Sequence, residues 1–206
     1  MIYDITPPVT ESLKVWPGDT PPSREILCDI ARGANITLST LHATVHLGAH
    51  ADGPNHYGAG APGIEARPLE HYLGPCQVIR VPVERGRRIA PGHLAFPLQA
   101  ERVLFCTGTY PDPNRFNEDF AALSPQLVDV LAEHGARLVG IDTPSIDLFD
   151  SKDLASHAAV LRHDMAILEG LVLDGVPPGV YELIALPLRL VGFDASPVRA
   201  VLRSMG

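Results

Sequence analysis

Thr44-Val45-His46-Leu47-Gly48-Ala49-His50-Ala51-Asp52-Gly53-Pro54-Asn55-His56-Tyr57 is the stretch that decides how this chain folds. His46, His50, Asp52 and His56 all stand at even positions. Gly53 and Pro54 oppose a helix through the segment, the first by backbone entropy, the second by a lost donor and a ring clash. In extended chain the side chains alternate, so His46, His50 and Asp52 share one face while Val45, Leu47, Ala49 and Ala51 share the other. The expected element is a strand, apolar on one side and imidazole–carboxylate on the other. A polar, solvent-facing strand would account for one histidine; three in register with an aspartate point to ligands for zinc or a similar ion.

The whole chain bounds what surrounds this strand. Its 206 residues are 46% hydrophobic and 19% charged, the composition of one globular domain over residues 1–206. A net charge of -8 opposes a nucleic-acid partner, which needs the opposite sign. There is no basic-then-apolar leader and no run of about 18 apolar residues, so no membrane partner is expected and the cytoplasm is the expected location. Cys28, Cys76 and Cys106 form no C-x-x-C pair and read as reduced thiols, small fillers of the core.

Outward from the motif, residues 26–30 and 36–41 read as strands around the turn Arg32-Gly33-Ala34-Asn35. His42 shares the motif's parity and reads as a surface or supporting residue. Residues 58–68 form a Gly/Pro/Ala loop placed to edge a pocket. Residues 76–83 and 102–107 are strand-like. Ser124 caps a helix with Pro125 in its first turn and Gly135 past its end, and residues 138–141 follow as a strand, a βαβ unit. Asp142-Thr143-Pro144-Ser145 then stands at a strand's C-terminal end, where α/β folds place pocket residues. Residues 156–162 suit a short helix capped by Ser156, and 165–173 a strand holding Glu169. Residues 181–186 and 188–193 read as late strands, and Ser196-Pro197-Val198 as the start of a final helix to Arg203. The class is α/β, one domain with a mixed sheet.

Several blocks carry a resemblance. His46-Leu-Gly-Ala-His50-Ala-Asp52-Gly-Pro54 resembles the signature of the metal-dependent cyclase-like hydrolases, and within them the chain is similar to the bacterial kynurenine formamidase family. Asp4-Ile-Thr-Pro-Pro8, Val15-Trp-Pro-Gly-Asp-Thr-Pro21, Leu73-Gly-Pro-Cys76, Ile141-Asp-Thr-Pro-Ser145, Ile167-Leu-Glu-Gly-Leu171 and Asp194-Ala-Ser-Pro-Val-Arg-Ala-Val-Leu202 are similar in the same order. The resemblance implies a swivelling β/β/α fold, a homodimer, and hydrolysis of N-formyl-L-kynurenine, a small aromatic formamide, in tryptophan degradation. A lactamase or amidase of the isatin-hydrolase kind, or a non-catalytic metal-binding protein, are the alternatives.

The ligand set is incomplete on one strand. Glu169 lies in the apolar run 166–172, where an unpaired buried carboxylate costs several kcal/mol; the other placement is a solvent-facing edge strand. His157 precedes it by twelve residues, and lone histidines at helix starts are common. The resemblance implies that His46 and His50 hold one metal, His157 a second, and that Asp52 and Glu169 bridge both. Two zinc ions per subunit follow from it, with manganese or another divalent ion as substitutes. His163 matches no ligand position. Paired ions of this kind lower the pKa of water toward about 7 and stabilise an oxyanion. His56, beyond the Gly53-Pro54 turn, suits proton transfer between water and the departing amine; a third ligand to the first metal is the competing role. Trp16, the only tryptophan, is a packing anchor or a platform for an aryl ring, and the resemblance favours the platform.

Overall fold

Arg102-Val-Leu-Phe-Cys106, Leu138-Val-Gly-Ile141 and Ala166-Ile-Leu-Glu169 are buried at every position, as befits strands covered on both faces. In the computed structural model, which describes residues 1–94 and 97–205, they form the middle of the main sheet. The strands are β1 (Ile2–Asp4), β2 (Ser23–Cys28), β3 (Leu38–His42), β4 (His50–Asp52), β5 (Leu73–Arg80), β6 (Arg88–Ile89), β7 (Arg102–Cys106) and β8 (Ala122–Leu123). Helix α1 (Pro125–Glu133), β9 (Leu138–Ile141), α2 (Ala155–Arg162), β10 (Ala166–Glu169), β11 (Gly179–Ile184), β12 (Ala195–Pro197) and β13 (Val201–Ser204) follow.

Nine strands make one mixed sheet in the order β1-β13-β11-β5-β7-β9-β10-β4-β12. The centre, β5-β7-β9-β10, is parallel and the flanks are antiparallel. Alternation splits the core into two layers. Leu104, Cys106, Leu138, Ala166 and Leu168 face one way with Ala49 and Ala51. Val103, Phe105, Val139, Ile141 and Ile167 face the other, against Leu127, Val128 and Leu131 of α1 and Ala159 and Val160 of α2. The expected βαβ unit is β7–α1–β9, and Ser124 caps α1 by accepting a bond from the Leu127 N–H at 3.1 Å.

Other expectations fail for identifiable reasons. No helix forms after Ser196. Residues 195–197 and 201–204 are β12 and β13, and across them and the link between, Val198, Ala200 and Leu202 are buried at alternate positions. Ser-Pro resembled a helix start, but the period of two wins because β4 and β11 offer open edges to pair with. Residues 188–193 make no strand; Pro187 and Gly192 (φ +80) bracket an irregular loop with Val191 largely exposed. Ser156 does not cap α2 but lies inside it, donating its hydroxyl to the Leu123 carbonyl at 2.8 Å. The cap comes from Asp147, whose carboxylate accepts the Ser156 and His157 N–H groups at 3.0 and 3.1 Å. Cys76 and Cys106 are core residues as expected, whereas Cys28 is only half-buried. No helix among the described residues is long and apolar enough to cross a membrane.

Gly170 closes β10 at φ +66, and a Cβ there would lie 2.8 Å from the Gly48 carbonyl carbon. Gly135, at φ +84, has open space around it. Gly170→Ala therefore adds backbone collision to the conformational strain both positions share. A collision of this sort costs about 1–3 kcal/mol beyond the strain. Thermal unfolding should show Gly170→Ala melting roughly 2–12 °C lower than Gly135→Ala. Equal melting points would show that the Gly48–Gly170 contact is not needed.

Candidate metal centre

His50 and Asp52 stand two residues apart on β4, opposite the buried Ala49 and Ala51. Antiparallel register places Glu169 directly across from His50, so both side chains leave the same face as near neighbours. That face carries the helices, and His157, in the first turn of α2, closes over it. Glu169 is thus buried and not at a solvent-facing edge. His46 arrives by another route. The chain bends before β4, with Gly48 at φ +56, and brings the His46 ring to 5.0 Å from that of His50. The strand expected over the motif is only three residues long; alternation accounts for His50 and Asp52, and a bend accounts for His46.

The carboxylate oxygens divide between two sides. Asp52 Oδ1 lies 3.2 Å from His46 Nδ1 and 3.5 Å from His50 Nε2, and Glu169 Oε2 lies 3.3 Å from His50 Nε2. Asp52 Oδ2 and Glu169 Oε1 each lie 3.5 Å from His157 Nε2. Glu169 Oε1 also accepts the Ile146 N–H at 2.7 Å. Both Asp52 oxygens are buried without a hydrogen-bond donor, an expensive state for a charged group.

The imidazoles are oriented to answer it. His50 Nδ1 donates to the Gly48 carbonyl at 2.9 Å, and His157 Nδ1 donates to Asp147 Oδ2 at 2.9 Å. Each outer nitrogen is committed as a donor, which turns each Nε2 toward two carboxylates. A lone pair facing carboxylate oxygens calls for a cation between them, and this donor set of imidazole and carboxylate suits a divalent ion. Without one, protons take that place. Burial opposes the His157 cation, but Asp147, Asp52 and Glu169 raise its pKa well above the ordinary value. Burial opposes the His46 cation too, yet Asp52 and Asp194 push its pKa up to about 9. Burial would raise the Asp52 pKa, and the adjoining His157 and His46 hold it well below the usual range.

His56 stands at the rim, its side chain 36% exposed against 5% for His50. Its ring lies 4.3 Å from that of His46, and its Nδ1 is 3.6 Å from Asp194 Oδ2, which also holds His46 Nε2 at 3.1 Å. Ligand atoms of His46, Asp52 and His56 all fall within 4.8 Å of one another, as do those of His50, Asp52 and Glu169. His42 is remote, paired with Glu25 on the β2–β3 hairpin, and His163 is paired with Asp129.

Above the cluster lies a cavity of about 530 Å³. Trp16 lines it, with its ring 5.0 Å from Phe149, 5.8 Å from Phe116 and 6.1 Å from Phe120. The indole is both anchored and presented to the cavity. Asp142, Pro144 and Ser145 line it as expected of a strand's C-terminal end. Residues 58–68 do not; the loops around Trp16 and Tyr110 form the wall instead. Two supporting residues escaped the sequence reading. Asp147 and Asp194 act across gaps of 10 and 148 residues, and only Asp147's place near the β9 exit hinted at it.

The family model described as "Cyclase: Putative cyclase" matches residues 3–148. A kynurenine formamidase of Bordetella avium (strain 197N) is 47% identical over 207 residues, covering 100% of this chain and 99% of the relative. Among solved structures, one described as a potential metal-dependent hydrolase with cyclase activity is 30% identical with a TM-score of 0.84, covering 98% of this chain and 96% of the other. Isatin hydrolase A from Labrenzia aggregata, at 21% identity, has a TM-score of 0.84 over 98% of this chain and 93% of its own, a likeness of fold.

Asp147 ties three things together: the α2 N-terminus, His157, and Arg88 at 2.7 Å. Asp147→Ala should loosen divalent-ion binding by about 10–100-fold, the usual cost of losing a carboxylate behind a ligating imidazole. Competition against a chromogenic chelator reads this directly. Wild-type affinity in the variant would show that His157 needs no such support.

Proposed function

The chain belongs to the putative cyclase family, and from that premise we propose that it is a metal-dependent hydrolase converting N-formyl-L-kynurenine to L-kynurenine and formate in tryptophan degradation. The observation that carries the chemistry is the division of Asp52 and Glu169, one oxygen of each toward His46 and His50, the other toward His157. The substrate rests on the full-length 47% identity to a kynurenine formamidase and on the aromatic wall at Trp16. His46 and His50 would hold one ion, His157 the other, and Asp52 and Glu169 would bridge them. Zinc fits the donors, two per chain, with manganese as a substitute. Bound divalent ions supply an acidified water near neutral pH and positive charge beside a developing oxyanion.

The chain's own residues do the rest. Gly48 and Asp147 fix the imidazole tautomers of His50 and His157. His56, exposed at the rim, takes a proton from the attacking water and returns it to the aryl nitrogen as the C–N bond breaks. Trp16 faces the aryl ring from the wall. The working unit is one domain over residues 1–206 in the cytoplasm, paired as a homodimer. The β2–β3 hairpin supports that pairing, since Ile26, Leu27, Leu38 and Leu41 are exposed on it and a lone hairpin is marginal in water.

Metal content and turnover, measured together, test the assignments. Wild type should carry close to two ions per chain (the two held by His46/His50 and by His157), and Asp52→Ala should lose both. His56→Ala should keep its metal while turnover falls roughly 10²–10⁴-fold. Metal loss in His56→Ala would make it a ligand instead, and one ion unchanged in Asp52→Ala would end the bridged scheme.

Trp16→Ala should raise KM for N-formyl-L-kynurenine about ten-fold, from lost stacking and apolar contact. It should also melt lower, since the indole packs on Phe149, but hold its metal. A KM equal to wild type would leave Trp16 with packing alone. Light scattering should give twice the 22.1 kDa chain mass, and Leu27→Asp with Leu41→Asp should give monomer. A wild-type monomer would overturn the pairing.

A further inference from the structure

The loop that carries Trp16 holds more than an indole. Trp16-Pro17-Gly18-Asp19 is a type II turn, with the Asp19 N–H bonded to the Trp16 carbonyl at 2.9 Å and Gly18 at φ +101. It is pinned at its root, where Leu13 is buried and the Lys14 N–H donates to the Pro113 carbonyl at 2.9 Å. Lys14, Trp16 and Asp19 all line the cavity. Among the described residues, neither Lys14 nor Asp19 has an ion-pair partner. Lys14 is also, among the described residues, the one lysine or arginine lining the cavity, whose other charged walls include Asp142, Asp174, Asp194 and Glu169.

We infer that this loop is a subsite for a zwitterionic aryl amino acid: Trp16 takes the ring, Lys14 the α-carboxylate and Asp19 the α-ammonium. The inference rests on the proposed arylformamide hydrolysis and names what selects the substrate within it. Away from the metal cluster the acidic walls are Asp142, Asp174 and Asp194, so a free carboxylate there needs a cation to receive it, and Lys14 is the side chain available. The ammonium meets the opposite situation, and Asp19 sits one turn from the indole, its Cα within about 7 Å of that of Trp16. Lys14, two residues before Trp16, is also within about 7 Å along the chain. Cation, ring and anion therefore stand on one short, hydrogen-bonded loop at the cavity wall. Formanilide, which has the ring and formamide but no amino-acid arm, would use the indole and neither charge.

The test compares substrates that differ only in the arm. With metal-replete enzyme, the kcat/KM ratio of N-formyl-L-kynurenine to formanilide should fall about ten-fold in Lys14→Ala and further in Lys14→Glu. Asp19→Asn should lower the same ratio. N-formylkynuramine, which lacks the carboxylate, should show no such change in ratio for Lys14→Ala while keeping it for Asp19→Asn. Because Trp16 is the only tryptophan, quenching of its fluorescence by L-kynurenine gives an independent binding readout, and Kd should weaken about ten-fold in Lys14→Glu. Ratios and Kd equal to wild type in these variants overturn the subsite. A wild type that hydrolyses neither substrate overturns the proposed function instead, and quenching by L-kynurenine still decides the subsite.

Discussion

Two carboxylates, Asp52 and Glu169, sit almost wholly out of water in one cluster, and the rest of the molecule is arranged around that fact. Isolated buried carboxylates are among the costliest groups a fold can hold, and like charges side by side are worse. Burial and Asp52 both push the Glu169 pKa up, while His157 and His50 bring it net below its ordinary value. The cluster is thus stable only with positive charge inside it. His46 and His157 can provide that charge as protons, or step aside as neutral ligands when a divalent ion provides more. Either way the site is held together by charge that the apolar layers around it cannot screen.

Strand register is what makes the cluster possible. The pairing of Glu169 with His50 places an acid from β10 beside a base from β4, and a one-residue slip of β4 would turn His50 and Asp52 into the apolar layer of Ala49 and Ala51. The close approach of Gly170 to Gly48 locks that register at the point where both strands end. Asp147 then couples the helix layer to the sheet: the same carboxylate caps α2, pairs with Arg88 and accepts the Nδ1–H of His157. Burial favours its neutral form, but the His157 and Arg88 donors keep it ionised at a pKa well below the ordinary value.

Much of this was legible in the sequence, and what was not has a physical reason. Alternation in a short motif identified His50 and Asp52, because period-two geometry acts within two residues. It failed for the route of His46, since Gly48 at φ +56 bends the chain and a glycine's choice of backbone region is decided by its surroundings. The βαβ unit could be read from Ser124, Pro125 and Gly135, which are local signals. The C-terminal strands were mistaken for a helix because Ser196-Pro197 mimics a cap, while the open edges that claim those residues belong to β4 and β11, far away in sequence. Asp194, and Asp147 apart from its place near the β9 exit, gave no signal for the same reason: each is an ordinary surface-type residue until the fold puts a histidine against it.

The site divides into a floor and a wall with different origins. The floor is built on His50, Asp52 and Glu169, strand residues whose positions follow from register, and its chemistry is hydrolytic in general. The wall is built of loops, Trp16 on its proline-framed turn and Phe116 and Tyr110 opposite, which pack on one another by edge-to-face contacts. Loops can change length and side chains without moving β4 against β10. A shared fold at 21% identity with an isatin hydrolase therefore says little about what enters the cavity, because the sheet can stay constant while the wall is replaced. The short loop around Trp16 thus lies on the replaceable wall, and the constant floor lies beneath it, where Asp52 has no hydrogen-bond partner of its own.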